Sequence, residues 1–251
     1  RLGNGDGSFG GPTHSTTGAG AHGVAVGHLN GDGYLDVVVA NYTPNTVSVL
    51  LGNGDGTFAA PVNYAVGTNP RSVALGDFNG DGALDVAVLN AGNNTVSLLV
   101  GNGAGTLGAA VNYAAGSSDP YHIIAGDWNG DGRLDVAVAS YGGSRVCVLL
   151  NNGAGGFEGV SVYSVGGNPI ALAGSDLDGD GRVDLATANY GGNSMTVLRP
   201  NGTQGLAEDP AGSGYFVGHG LGSIQPSSDG DYWSFSALAG DLVSVSVDTP
   251  D

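Results

Sequence analysis

The chain of 251 residues carries 23 acidic and six basic side chains, a formal charge of −17, with 49 glycines and a single cysteine. An acidic chain with scattered arginines has no footprint for nucleic acid or an anionic membrane. No apolar stretch approaches the ~20 residues of a spanning helix, so no membrane insertion is expected, and one thiol rules out an internal disulfide.

Glycine this abundant borders on the composition of disordered chains, but 41% of the residues are hydrophobic and the apolar runs recur on a strict period. Glycine is therefore read as serving tight turns. In chain order, residues 1–12 read RLGNGDGSFGGP, and the pattern returns as LLGNGDGTFAAP (50–61), LVGNGAGTLGAA (99–110) and LLNNGAGGFEGV (149–160). Residues 1–11 are expected to be the tail of a preceding repeat. GHLNGDGYLD (27–36) recurs as GDFNGDGALD (76–85), GDWNGDGRLD (126–135) and GSDLDGDGRVD (174–184). The closing aspartates Asp36, Asp85, Asp135 and Asp184 stand 49, 50 and 49 residues apart.

Within one period, residues 59–107, strand signals fall at VNYAV (62–66), RSVAL (71–75), LDVAVLN (84–90) and TVSLLV (95–100). Each is short, rich in β-branched residues and bounded by Gly, Asn, Asp or Pro. Four strands in a unit of about fifty residues predict an all-β fold, a β-propeller of four-stranded antiparallel blades. Helical periodicity is absent almost everywhere, and a parallel β-helix has turns shorter than this period. Cys147, inside RVCVLL, reads as a buried structural thiol. Four repeats span residues 12–202, and 203–221 read as a linker. In 222–251, YWSFSA and LVSVSVD alternate around an AGD turn, which predicts a hairpin that begins a β-sandwich or jelly-roll.

The four recurrent loops hold 12 of the 21 aspartates. In the second loop, positions 1, 3, 5 and 9 are Asp77, Asn79, Asp81 and Asp85, Gly82 at position 6 permits a reversal, and Ala83 at position 7 offers its carbonyl. An all-oxygen set with three negative charges suits Ca²⁺, which takes six to eight oxygens at variable geometry. Zn²⁺ would call for nitrogen or sulfur. The third loop (Asp127, Asn129, Asp131, the Arg133 carbonyl, Asp135) and the fourth (Asp176, Asp178, Asp180, the Arg182 carbonyl, Asp184) are complete. In the first, His28 stands at position 1, and Asn30, Asp32, the Tyr34 carbonyl and Asp36 remain, so a weaker site is expected there. The loops begin like an EF-hand but lack its twelfth-position glutamate, having Val88, Val138 and Thr187 instead. A metal-free Asx-turn hairpin is the alternative for one copy; recurrence in register favours the cation. Four divalent ions would bring the charge of −17 to −9.

At these D-x-[DN]-x-D-G-x-x-D loops the chain resembles the FG-GAP/VCBS repeat family, over about residues 1–202. The resemblance implies a propeller with blade-borne Ca²⁺, a secreted, extracellular or cell-surface location, and adhesion or ligand binding more often than catalysis. Residues 222–251 resemble the start of a bacterial pre-peptidase C-terminal (PPC) domain. No catalytic constellation stands out, because His14, His22, His28, His122 and His219 are scattered. An enzyme is therefore not expected, although some lyases use a similar propeller. The expected partner is a protein or glycan. Tyr64, Tyr113 and Tyr163, and separately Tyr42, Tyr141 and Tyr190, recur by repeat, so a lectin that stacks rings on sugars is the alternative to packing between blades. A third reading is a surface protein that self-associates into oligomers or filaments by donating strands.

Overall fold

The computed structural model describes residues 6–8, 11–200, 214–217 and 221–224, and contains no helix among them. The chain divides into two compact units, Arg1–Leu198 and Arg199–Asp251. The first unit consists of consecutive antiparallel sheets, each built from adjacent strands of the chain.

Blade one contains β1 (Ala21–Gly27), β2 (Asp36–Asn41), β3 (Thr46–Leu50) and β4 (Val62–Ala65). Blade two contains β5 (Pro70–Gly76), β6 (Asp85–Asn90), β7 (Thr95–Leu99) and β8 (Val111–Ala114). Blade three contains β9 (Pro120–Gly126), β10 (Asp135–Ser140), β11 (Arg145–Asn151) and β12 (Phe157–Ser164). Blade four contains β13 (Pro169–Ser175), β14 (Asp184–Asn189) and β15 (Ser194–Leu198), three strands among the described residues. The first strands β1, β5, β9 and β13 lie side by side in that order. In the second unit β16 (Gly214–Val217) pairs with β17 (Leu221–Ile224). This hairpin falls mainly on the stretch read as a linker, where the β-forming run Tyr215–Val217 favours a strand. The predicted hairpin of 222–251 and most of the 1–11 tail lie outside the described residues.

The four predicted strands of 59–107 are all present, but the blade boundary differs in phase. Val62–Ala65 pairs with β3 as the outer strand of blade one, and does not join Pro70–Gly76. The cause is local: the hairpin after β3, with its Gly52–Phe58 bridge, returns the chain antiparallel to β3. Periodicity alone defines the unit length and leaves its starting point open. Asn45, Asn94 and Asn193 take left-handed φ of 56°, 54° and 47° in the turns between second and third strands, a conformation asparagine tolerates.

The second strands of blades two and three, β6 and β10, are buried on both faces because these blades are covered on both sides. One core joins blades one and two through Val47 and Val49 against Val86 and Val88. A second joins blades two and three through Val96 and Leu98 against Ile123 and Val136. A third joins blades three and four through Ala137 and Val146 against Leu172 and Leu185. Close approach explains two glycines here: a Cβ on Gly27 would lie 2.7 Å from Leu84 Cδ1, and one on Gly76 would lie 2.7 Å from Leu134 Cδ1.

Buried asparagines pin the turn end of the sheet in blades one, two and four, and Ser140 takes that position in blade three. Asn90 Nδ2 donates to Thr95 Oγ1 and Ser97 Oγ, and Ser97 Oγ donates to Asn112 Oδ1. The Asn90 and Asn41 Oδ1 atoms are buried without a partner. In blade four Thr187 Oγ1 donates to Asn189 Oδ1 at 2.7 Å, whereas valines Val39 and Val88 occupy the matching positions in blades one and two. Val88→Thr should therefore satisfy Asn90. The expected gain is up to about 1 kcal/mol, read as a higher denaturant midpoint with an unchanged slope.

Candidate metal centres

Each acidic loop connects the first and second strands of a blade, and one rung closes it. Gly27 pairs with Asp36, Gly76 with Asp85, Gly126 with Asp135 and Ser175 with Asp184. The sequence folds this way because the closing aspartate is already in the sheet while the preceding residues reverse. Gly80 and Gly82 take φ of 77° and 86°, which a Cβ would strain.

The position-1 carboxylate organises the reversal. Asp77 accepts the N–H groups of Gly80 at 2.7 Å, Asp81 at 3.1 Å and Gly82 at 2.8 Å. Asp127 repeats this with Gly130, Asp131 and Gly132, and Asp176 with Gly179, Asp180 and Gly181. The Gly181 N–H is the main reason the Asp176 carboxyl titrates below its ordinary value. Positions 3 and 5 interlock: Asn79 Nδ2 donates to Asp81 Oδ2, and Asp81 Oδ1 accepts the Ala83 N–H at 2.8 Å. Asn129 and Asp131 do the same, and Arg133 Nη2 also donates to Asp131.

The loops differ where the sequence differs. In the first, His28 Nδ1 lies 2.9 Å from the Tyr34 carbonyl oxygen, so the ring donates to the very carbonyl expected as a ligand. Asn30 and Asp32 keep their mutual contact. In the fourth, Asp178 replaces asparagine, and Asp176, Asp178 and Asp184 place carboxylate oxygens within 4.8 Å of one another. This is the one such acidic group among the described residues. Like charges at that distance repel strongly unless a cation lies between them, and an all-carboxylate donor set suits a hard divalent ion.

The closing aspartates are fully buried. Asp85 accepts the Phe78 N–H at 2.9 Å on one oxygen and the Gly101 N–H at 2.8 Å on the other. Asp36 binds Leu29 and Gly52 likewise, and Asp135 binds Trp128 and Asn151. Burial pushes the Asp135 carboxyl up to about 6 and raises that of Asp85. Asp184 keeps the Leu177 N–H at 2.9 Å, but its Oδ1 is buried without a partner. The residue matching Gly52, Gly101 and Asn151 is Pro200, which has no N–H to give. The structural side of these aspartates was missed from sequence. The available signal was the apolar residue that always follows position 1, namely Leu29, Phe78, Trp128 and Leu177.

Other predicted residues separate clearly. Tyr64 accepts the Leu107 N–H from blade two, and Tyr113 meets Phe157 edge-on at 5.3 Å, so both rings pack between blades. At the opposite end from the acidic loops, Tyr121 lies 5.9 Å from Tyr141, with the Arg71 guanidinium over its ring at 4.7 Å. Arg71 is held there by Asp119 and the Pro120 carbonyl. His22 stacks near Tyr42, and His122 Nδ1 accepts the Leu172 N–H. Cys147 is buried, its thiol pushed up to about 11 by burial.

Repeated four-stranded antiparallel blades, each with a loop of this kind, define a β-propeller of all-β architecture. The FG-GAP-like repeat profile matches residues 28–88, 77–138 and 127–187, together more than half of the chain, and the chain belongs to this family. No curated protein sequence matches. Among solved structures, the chain is similar to an Agrocybe aegerita lectin that recognises non-reducing terminal N-acetylglucosamine (23% identity, TM-score 0.47, covering 70% of this chain and 51% of that one). It is similar to a streptogramin B lyase (16%, TM-score 0.49, 74% and 56%). It is also similar to BBS1N, solved in complex with ARL6DN (13%, TM-score 0.50, 72% and 58%), a likeness that supports the fold alone. The chain thus spans little more than half the length of these structures.

Proposed function

We propose that the chain is a secreted or cell-surface, calcium-stabilised propeller that serves as an adhesion or interaction module for a protein or glycan. The observation that carries this reading is the loop geometry. Four hairpins on the same rung of successive blades present carboxylates around a glycine reversal, and in the fourth three carboxylates converge within 4.8 Å. Ca²⁺ would be held by Asp77, Asn79, Asp81, Asp85 and the Ala83 carbonyl in blade two, and by the matching residues in blades three and four. The ion would neutralise the loops and make the hairpins rigid. Calcium titration by calorimetry should give three sites, with the loop containing His28 contributing least. His28→Asp should add a fourth of comparable affinity, and no calcium heat at millimolar concentration would end the reading.

A glycan ligand has its own support at the other end of the blades. Tyr121 is 41% exposed beside Tyr141 and Arg71, and Tyr190 is 68% exposed at the matching turn of blade four. Exposed rings next to fixed polar groups suit sugar stacking. A glycan array probed in calcium tests this, and loss of any signal in Tyr121→Ala would place the site.

A further inference from the structure

The first strands of adjacent blades meet at one repeated position, the third residue of β1, β5 and β9. Ser72 Oγ accepts the Ile123 N–H of blade three at 3.4 Å, and His122 Nδ1 accepts the Leu172 N–H of blade four at 3.2 Å. In blade one the position is Gly23, where a Cβ would lie 2.7 Å from the Arg71 carbonyl oxygen. Backbone there fills the space that a side chain takes in the other two joints. The three joints are thus closed by backbone, by a hydroxyl and by an imidazole, and of these only the imidazole titrates near neutral pH.

A backbone N–H can only donate, so His122 Nδ1 carries the lone pair and the ring proton sits on Nε2. The imidazolium has an N–H at both nitrogens and no acceptor, so neither that form nor its flipped ring can receive the Leu172 amide. We propose that His122 makes the joint between blades three and four a pH-sensitive latch, held while the ring is neutral and loosened when it takes a proton.

Among the described residues, nothing around the ring offers the added charge a partner. β9 packs on β5, β6, β10 and β13. Their ionisable side chains are Arg71 on β5, Asp85 on β6 and Asp135 on β10; β13 has none, and β9 itself adds only Tyr121. Asp85 and Asp135 stand at the other end of their strands, opposite Gly76 and Gly126, whereas His122 pairs with Ala139. Arg71 would repel a second cation, and Asp119 at this end is already bound to Arg71 at 3.2 Å. Burial holds the His122 imidazole below its ordinary value. The unfolded chain therefore takes the proton first as pH falls, so the stabilising contribution of the neutral ring is complete above about pH 6.5 and declines below it. Asp135, pushed up to about 6, acts with the opposite sign in the same range, so the His122 contribution is read as a difference between variants.

Amide hydrogen exchange of the whole chain at fixed calcium tests the latch. Protection of the Leu172 amide, corrected for intrinsic exchange, should fall severalfold between about pH 7.5 and 5. The Ile123 amide, whose acceptor is the Ser72 hydroxyl, should change less. His122→Gln keeps an acceptor that does not titrate, and His122→Ser copies the second joint; in both, the pH-dependent loss at Leu172 should disappear. In the unsubstituted chain, nitrogen NMR of the ring should show the Nε2–H tautomer at neutral pH and a titration below the ordinary histidine value. Level protection across the range, an equal loss in both variants, or a ring that titrates at or above the ordinary value would overturn the proposal.

Discussion

Chelation of calcium should lower the melting temperature by roughly 2–16 °C. Extracellular calcium modules bind with Kd of about 10⁻⁴–10⁻³ M. At about 1 mM free ion each site then adds about 0.4–1.4 kcal/mol through mass action. Three sites add about 1–4 kcal/mol, a large share of the 5–15 kcal/mol that an ordinary domain possesses, and about 2–4 °C follows each kcal/mol at this chain length. The loops supply the reason such an ion would stabilise the fold. Asp77, Asp127 and Asp176 satisfy their own turn through backbone N–H groups, so the reversal forms without metal, but in blade four the Asp176, Asp178 and Asp184 carboxylates converge within 4.8 Å, and in blades two and three the neighbouring aspartates add to the rise of Asp85 and Asp135. The effect should be largest in blade four, where Asp178 adds a charge that Asn79 and Asn129 do not. Thermal scans in calcium and in EDTA decide the matter, and coincident melts would remove the stabilising role.

Asp85→Asn should be among the most damaging single substitutions, at about 2–4 kcal/mol. The new amide keeps one oxygen for the Phe78 N–H, but its NH₂ then faces the Gly101 N–H, donor against donor, inside the protein. A buried donor left without an acceptor costs about 1–3 kcal/mol, and the opposed amide adds to that. Asp184→Asn should cost clearly less when both are measured in EDTA, where any contribution from the ion is gone. Asp184 Oδ1 has no donor to lose, because it is buried without a partner and the residue at the position of Gly101 in the sequence is Pro200, which carries no N–H. Urea midpoints of the two variants make the comparison, and equal losses would refute the hydrogen-bond account.

The substitution at position 200 illustrates how far the sequence could be read. The period, the strand type and the acidic loops all follow from local rules: β-branched runs, glycine at reversals and oxygen side chains at alternate positions. Those rules act over a few residues, so they are visible in one chain. The partner of a buried carboxylate is not local. Gly101 lies sixteen residues from Asp85, and only the pairing of β6 with β7 brings its N–H to the oxygen.

By itself, the sequence determined that this is an all-β chain of fifty-residue units with acidic hairpins that reverse on glycine, because periodicity and side-chain chemistry are properties of the linear order. Tertiary structure decided where each blade begins, since Val62–Ala65 could pair forwards or backwards until the hairpin after β3 directed it. It also assigned Tyr64 and Tyr113 to the joints between blades, because burial is set by what packs alongside and not by the residue's own identity.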